Sequence, residues 1–282
     1  MDMKVAYLGP TEKTYTGQIT KSIFPDAERT PIQPIRNIMM QTDALKFDLG
    51  VIPLENIYNG HVNETLDSLL DMQSVRIVRE VSMKIAHCLG ALPNHAQIYK
   101  IMSKDQGLEQ CSRYLCKQYP NANLIAVSST DEAVRRIKEE RLLNTAAIAS
   151  EESLDKLEIL AREDKLCPNN RTRFIVLGRE ETQATGDDKT FLAIHPPIDK
   201  PGILVDISKP FSRYKINLEY IQSRPDAKKG YTFYIELDGH QLDKKVIKAM
   251  NKVKDNLDPK HKHQDTIKIL GSYANSHWKD EN

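Results

Sequence analysis

The stretch "LGVIPLENIYNGHVNETLDSL", residues 49–69, decides the fold. Its apolar start predicts a buried strand, the glycine at position 60 permits a tight turn, and leucines then recur on one face of a helix. Glu55 and Asn56 follow the strand directly. Ligands of open α/β sheets bind beyond the carboxyl ends of the strands. Glu55, Asn56 and Gly60 are therefore candidate ligand contacts.

Strands and helices alternate through the first 180 residues, which predicts an α/β fold with a mainly parallel sheet. Two further helix starts carry hydroxyl side chains. Thr14 and Thr16 lie at one, and Ser129 and Thr130 at the other, where Thr130 is the expected N-cap. Backbone N–H groups at a helix start favour an anion. These four residues are candidate contacts to an anionic small molecule, with ordinary capping as the alternative for each.

A second polar stretch, "PNNRTRFIVLG" at residues 168–178, stands where another apolar strand begins. In extended chain, Asn170, Thr172 and Phe174 share one face, and Arg173 points to the other. Thr172 is a candidate hydrogen-bond donor, and Asn170 is a candidate polar contact. Arg173 is either a bidentate anchor for a carboxylate or a brace behind the loop. A loop that only caps a buried strand is the alternative.

The composition fits a globular protein of two domains. The chain has 282 residues, above the usual size of a single core, with 40% apolar and 28% charged residues. A net charge of +1 provides no strong field for nucleic acid or an anionic membrane. No apolar run is long enough to span a bilayer, and the N-terminus does not resemble a signal peptide, so we expect a cytoplasmic protein.

Cysteine and histidine spacing predicts no metal site. The four cysteines form no C-x-x-C pair and are expected to be structural thiols. The "HKH" segment at residues 261–263 has no further ligands nearby in sequence, so we expect a solvated turn.

The pattern changes after residue 180. Residues 181–188 are polar and aperiodic, as expected of a linker. Residues 189–275 follow the order β-α-β-β-α-β of a ferredoxin-like domain, and residues 276–282 are left as a tail. Pro210 falls inside the first helix of that domain and is expected to kink or end it.

Several motifs, in order along the chain, resemble those of the prephenate dehydratase family. "GVIPLENIYNGHVNETLD" is similar to G-V-x-P-x-E-N-S-x-x-G-x-V-x-x-T-x-D, "NNRTRFIVL" to N-x-T-R-F, and "YLGPTEKTYT" to the opening Y-L-G-P-x-G-T-F-S. In the second domain, "DKPGILVDI" and "NLEYIQSRP" resemble two segments of the ACT regulatory domain. The chain departs from these motifs at Lys13, Ile57, Ile203 and Gln222.

The resemblance implies a particular architecture. A two-lobed catalytic domain like a periplasmic binding protein would occupy residues 1–180, followed by the ACT domain at 189–275. Lobe one would hold residues 1–80 and 157–180, and lobe two residues 81–156, with the active site in the cleft.

The resemblance also implies a reaction. The family converts prephenate to phenylpyruvate, carbon dioxide and water on the route to phenylalanine, with no redox cofactor or metal. Thr172 corresponds to the threonine regarded as essential, and Asn170 and Arg173 are assigned with it as catalytic residues. The residues assigned to substrate binding are Thr14, Thr16, Glu55, Asn56, Gly60, Ser129, Thr130 and Phe174.

The ACT domain of this family binds phenylalanine and regulates activity. The resemblance therefore implies prephenate, L-phenylalanine and further copies of the chain as partners, in a homodimer or homotetramer formed through the ACT domains. The residues assigned to effector binding are Asp199, Pro201, Gly202, Ile203, Leu204, Asn217, Leu218, Ser223 and Arg224. Gly202 also permits close approach of a ligand to the backbone, and the helix start there offers N–H groups to a carboxylate.

Two alternative functions remain open at this point. One is an enzyme that decarboxylates prephenate without aromatising it, and the other is a non-catalytic binding protein that responds to an amino acid. The retained T-R-F segment and the ACT-like domain favour the dehydratase over the decarboxylase. The departures at Lys13 and Ile57 keep the binding protein open.

Overall fold

A computed structural model describes residues 3–226, 230–260 and 266–277. Residues 261–263 and 278–282 lie outside these ranges, so the predictions for the "HKH" segment and most of the tail fall outside the described residues. The helices are α1 (Tyr15–Ile23), α2 (Ile35–Asp43), α3 (Asn63–Asp71), α4 (Asp105–Gln118), α5 (Thr130–Glu139), α6 (Glu163–Leu166), α7 (Ile203–Arg213) and α8 (Lys244–Leu257). The strands are β1 (Lys4–Leu8), β2 (Glu28–Ile32), β3 (Leu49–Asn56), β4 (Gly60–His61), β5 (Arg76–Lys84), β6 (Cys88–Ala91), β7 (Lys100–Ser103), β8 (Asn123–Ala126), β9 (Thr145–Ala149), β10 (Glu158–Ala161), β11 (Arg171–Gly178), β12 (Asp188–Ile194), β13 (Leu218–Asp226), β14 (Gly230–Asp238) and β15 (Ile267–Ala274).

The first of two compact units comprises residues 3–54, 62–82 and 173–277 of the described chain. Its sheet has the strand order β13-β14-β12-β15-β5-β11-β3-β1-β2. β1 runs parallel to both β2 and β3, which confirms the α/β layering predicted from strand–helix alternation. Ile38, Met39 and Leu66, from α2 and α3, pack into the core of this unit.

The C-terminal part of the first unit has the ferredoxin-like order that the sequence predicts. Its four strands pair antiparallel as β13-β14-β12-β15. Both faces of this small sheet are covered, because side chains alternate along a strand. Phe191 and Ala193 of β12 join the core with α2 and α3, whereas Leu192 and Ile194 join a second core under α7 and α8.

A glycine marks the point where the C-terminal strands join the rest of the large sheet. β15 runs parallel to β5, with Gly271 opposite Ile77. A Cβ atom at Gly271 would lie 2.3 Å from the carbonyl oxygen of Ile77. No side chain fits at that distance, so the two parts can share one sheet only with glycine at this position.

α7 continues past Pro210 to Arg213, so of the two outcomes expected of this proline, a kink or an end, the helix does not end there. A proline leaves the carbonyl four residues earlier without its helical donor. Here that carbonyl belongs to Asp206, and it accepts a hydrogen bond from Asn256 Nδ2 at 3.0 Å. The side chain from α8 therefore replaces the missing backbone donor.

The second unit comprises residues 55–61 and 83–172. Its sheet has the order β10-β6-β9-β7-β8. β10 pairs antiparallel with β6, so residues 158–161, which were expected in the first lobe, belong to this unit. The predicted domain boundaries as such remain a prediction. Three of the four cysteines are buried in this unit, as expected of structural thiols, and Cys116 is exposed.

No helix in the described part of the chain is long and apolar enough to cross a membrane.

Candidate active site

Asn56, at the end of β3, organises the candidate site. The residue is 6% exposed, and its Oδ1 accepts hydrogen bonds from the backbone N–H groups of Tyr58 at 2.9 Å and Asn59 at 3.3 Å. These two donors determine which way the amide points, because only its oxygen can accept from them. Nδ2 must therefore be the atom that faces Thr172.

The Asn56 amide holds the Thr172 hydroxyl in place. Asn56 Nδ2 donates to Asn170 Oδ1 at 2.8 Å and to the Arg171 carbonyl at 3.0 Å. It also donates to Thr172 Oγ1 at 3.0 Å. Since Oγ1 accepts this bond, the hydroxyl proton points elsewhere, and no group among the described residues accepts it. The result is a half-buried hydroxyl with a fixed oxygen and a proton available to a ligand.

The hydrogen bonds also determine the orientation of the Asn170 amide and the position of the proton on His87, both in the second unit. Asn170 Oδ1 accepts from Asn56, so Asn170 Nδ2 is the atom that donates to Gln110 Oε1 at 2.9 Å. Gln110 Oε1 also lies 2.9 Å from His87 Nε2. A carbonyl oxygen only accepts, so His87 carries its proton on Nε2. A chain of buried polar side chains thus leads from His87 to the Thr172 hydroxyl.

His87 makes the second unit sensitive to acid. Burial lowers the pKa of His87 below its usual value of 6.5, so the unfolded chain binds a proton at a pH where the folded chain does not. We expect the free energy of unfolding to fall as the pH drops below about 6.5, because stability increases with pH wherever the unfolded state holds more protons. His87→Gln should reduce the slope of the free energy of unfolding against pH by up to about 1.4 kcal/mol per pH unit. Urea unfolding at several pH values between 7 and 5 measures this slope.

Asn121→Gln, at an exposed position with no titratable group, provides the control for that experiment. It should leave the slope as it is in the wild type. An unchanged slope in His87→Gln would show that protonation of His87 does not oppose folding.

Glu55 and Gly60 shape the turn that carries Asn56. Glu55 Oε1 lies 3.5 Å from His61 Nδ1, and the Glu55 side chain is largely buried. Gly60 has φ = 69°, in the left-handed region that favours glycine. Gly60 lies at the predicted turn, whereas Glu55 lies within β3, which extends to Asn56, and not after the strand as the sequence predicts. The assignment of both residues to substrate binding stays a prediction.

The predicted hydroxyl residues lie at helix starts. Thr14 is the N-cap of α1 and Ser129 is the N-cap of α5, and each accepts a hydrogen bond from a backbone N–H of the first turn. The prediction that Thr130 caps α5 is wrong, because Thr130 is its first helical residue. Thr16 lies inside α1 and is buried.

Arg173 and Phe174 are buried in the first unit. Arg173 Nη1 lies 2.9 Å from Glu80 Oε2 and 2.6 Å from Glu236 Oε1. Phe174 is 2% exposed. Of the two roles considered for Arg173, these buried carboxylates favour the brace over the substrate anchor.

Comparison with known proteins assigns the family. The model of the family described as "Prephenate dehydratase" matches residues 5–182, and that described as "ACT domain" matches residues 197–255. The chain belongs to the prephenate dehydratase family. This confirms the resemblance found in the sequence, the lyase class of enzyme and the presence of a C-terminal ACT domain.

Individual prephenate dehydratases align with most of the chain. A bifunctional chorismate mutase/prephenate dehydratase of Aquifex aeolicus is 35% identical over 278 residues, which cover 96% of this chain and 73% of the relative. A prephenate dehydratase of Methanocaldococcus jannaschii is 32% identical over 231 residues, or 80% of each chain. The crystal structure of a prephenate dehydratase from Arthrobacter aurescens in complex with L-Phe has a TM-score of 0.78 and 30% identity, and the match covers 97% of this chain and 90% of that one.

Sequence reasoning missed two members of the polar chain in this prephenate dehydratase fold. His87 precedes β6, and Gln110 lies in α4, so both are distant in sequence from Thr172. Their only signal is a polar residue beside apolar neighbours, which is too common to identify a site. Their role becomes visible when the hydrogen bonds are followed.

In the ACT domain, the candidate effector residues lie at the two ends of α7. Residues 199–202 form an exposed turn before the helix, with Gly202 as its N-cap at φ = 84°, and Ile203 and Leu204 are the first two residues of α7. Asn217 and Leu218 follow the other end of the helix.

The remaining two effector candidates lie on β13. Ser223 is exposed. Arg224 Nε and Nη2 donate to the two carboxylate oxygens of Asp67, each at 2.7 Å, and Nη1 donates to Asn63 Oδ1 at 2.6 Å. The Arg224 guanidinium thus binds α3 of the same chain.

Proposed function

We propose that the chain catalyses the decarboxylating dehydration of prephenate to phenylpyruvate, under control by phenylalanine. The observation that supports the reaction is the Thr172 hydroxyl, whose oxygen accepts a hydrogen bond from Asn56 and whose proton is available. Family membership supports the substrate.

In this reaction the bond between the ring and its carboxylate breaks, and its electrons enter the ring as the hydroxyl group leaves. Carbon dioxide and water are released, with one proton needed to complete the water. Aromatisation supplies much of the driving force. Thr172 donates a hydrogen bond to the departing oxygen, because a hydroxyl in a fixed position stabilises developing charge without reorganising.

The polar chain behind Thr172 keeps this donor in place. Asn56 and Asn170 position the hydroxyl oxygen, and Gln110 and the neutral His87 hold Asn170. We propose that Ser129 and Thr130 add substrate contacts through the start of α5. Thr14, Thr16 and Phe174 remain proposals on family resemblance alone.

Product analysis with prephenate tests the proposal. Equal amounts of phenylpyruvate, detected by its absorbance, and carbon dioxide would support it. Carbon dioxide without an aromatic product would indicate the decarboxylase instead. Calorimetric binding of prephenate with no product would indicate the non-catalytic binding protein.

The positions of the effector candidates support a site shared by two chains. α7 has eleven residues, so its ends lie about 16 Å apart at 1.5 Å per residue. The Gly202 turn and Asn217 cannot both reach one amino acid within a single chain. β13 lies at the edge of the sheet, and sheet edges favour pairing with another chain. We propose a homodimer, or a homotetramer built from two dimers, with L-phenylalanine bound where ACT domains meet.

Phenylalanine should bind to the full chain, and Asn217→Ala should weaken that binding about tenfold or more. A hydrogen bond to a charged ligand contributes about 1.5–3 kcal/mol, and 1.4 kcal/mol is tenfold in affinity. Isothermal titration calorimetry with L-phenylalanine measures the dissociation constant, and light scattering checks that the oligomer is unchanged.

Asn251→Ala, on the exposed face of α8, is the control for this substitution. No heat with millimolar phenylalanine would refute the effector. Equal affinities in wild type and Asn217→Ala would refute the role of Asn217.

A further inference from the structure

Arg173 and four buried polar side chains around it form a group that we call the buried charge cluster. Its members are Arg173, Glu80, Glu236, Lys189 and Tyr273, none of which is more than 3% exposed. Arg173 Nη1 contacts Glu80 Oε2 at 2.9 Å and Glu236 Oε1 at 2.6 Å. Lys189 Nζ lies 3.3 Å from Glu80 Oε1, and Tyr273 Oη donates to Glu236 Oε1 at 2.6 Å.

The charges of this cluster balance. Arg173 and Lys189 contribute two positive charges, opposite Glu80 and Glu236. Burial alone would raise the pKa of Glu236, but Arg173 foremost, with Lys189 and Tyr273, lowers it on balance. Glu236 therefore remains ionised against the guanidinium.

The members of the cluster come from two parts of the chain. Glu236, Lys189 and Tyr273 belong to β14, β12 and β15, three of the four strands of the ferredoxin-like part that contains the ACT domain match. Arg173 belongs to β11 and is the residue next to Thr172. The ACT strands thus hold the side chain that follows the catalytic donor.

Such a cluster fixes the positions of its side chains more than it stabilises the fold. The cost of removing water from buried charges offsets much of their attraction, whereas a buried ion pair accepts only a narrow range of positions. Thr172 and Arg173 are joined by one peptide unit. A shift of the guanidinium therefore shifts the backbone that carries the hydroxyl.

We propose that Glu236 of the ACT domain is a positioning residue for the dehydratase reaction, acting on Thr172 through Arg173. The inference rests on the proposed function. It requires Glu236 to affect turnover more than substrate binding, in the absence of any effector.

Glu236→Gln tests the proposal, because it removes the charge and keeps the shape. We expect kcat to fall about tenfold with KM within about twofold, since a small misplacement of a catalytic group can cost up to about a hundredfold. Glu139→Gln, which breaks an exposed ion pair with Arg135, is the matched control and should leave kcat unchanged. Tyr273→Phe removes only the hydroxyl that donates to Glu236, and it should lower kcat in the same direction but less.

A double-mutant cycle distinguishes positioning from loss of structure. In a Thr172→Val background, Glu236→Gln should have little further effect on kcat, because the donor that it positions is gone. Equal losses in both backgrounds would overturn the proposal. If Glu236→Gln does not fold, a wild-type kcat in Tyr273→Phe would overturn it as well. A wild-type chain that is inert toward prephenate refutes the proposed function and this inference together, whereas an active wild type with fully active variants refutes this inference alone.

Discussion

Thr172→Val lowers kcat for prephenate by about 100- to 1,000-fold, while the fold persists. Valine has nearly the shape of threonine, so the change replaces only the hydroxyl, with a methyl group. That hydroxyl accepts a hydrogen bond from Asn56 Nδ2 at 3.0 Å and keeps its proton available. Loss of one preorganised donor costs about 10²–10³ in rate. Steady-state formation of phenylpyruvate measures the effect, and circular dichroism confirms folding.

Thr172→Ser is the matched control, because it keeps the hydroxyl and removes only the methyl group. We expect it to retain a larger share of activity than the valine variant. Turnover above about a tenth of wild type in Thr172→Val would rule out this hydroxyl as the main donor, since the expected loss is at least about 100-fold.

Asn56→Asp has the second large effect, and it acts on both stability and turnover. The carboxylate would face three acceptors that now receive hydrogen bonds from Nδ2: Asn170 Oδ1, the Arg171 carbonyl and Thr172 Oγ1. Unsatisfied buried polar groups cost about 1–3 kcal/mol each, and charged ones cost more. We expect the free energy of unfolding to fall by about 2–4 kcal/mol and kcat to fall by about 100-fold or more, because Thr172 loses its partner.

The same substitution at the exposed Asn121 is the control, and it should change neither quantity. Urea unfolding and phenylpyruvate formation are measured for both variants. An Asn56→Asp protein with wild-type stability would show that the amide does not face these acceptors.

Local patterns in the sequence determine much of the architecture. Strand–helix alternation identifies the α/β part, and the order β-α-β-β-α-β identifies the ferredoxin-like domain, because both depend on periodicities within single elements. The turns at Gly60 and Gly202 can be predicted from the sequence for a similar reason, since a positive φ is a local property of the backbone. The polar residues 55–56 and 170–172 are also visible in the sequence, because they interrupt apolar strands.

Other features depend on contacts between residues distant in sequence, and only the tertiary structure decides them. Nothing in a one-dimensional pattern pairs Asn56 with Asn170, 114 residues away, or extends that pair to Gln110 and His87. Likewise, the orientation of the Asn56 amide follows from which backbone N–H groups face it in the folded turn.

Arg173 and Arg224 show most clearly what the sequence does not determine, because a sequence does not show which group a guanidinium binds. The sequence allowed Arg173 to bind a substrate carboxylate and Arg224 to bind an effector. The fold brings Glu80 and Glu236 to the first and Asp67 to the second. Sequence by itself determined the elements, the turns and the family. Tertiary structure alone decided the partner of each charge. Burial makes that choice for Arg173, because it leaves the cation no water to bind and only the carboxylates that the packing places beside it. Arg224 is only partly buried, and its partner is decided by the packing that brings Asp67 within hydrogen-bond distance.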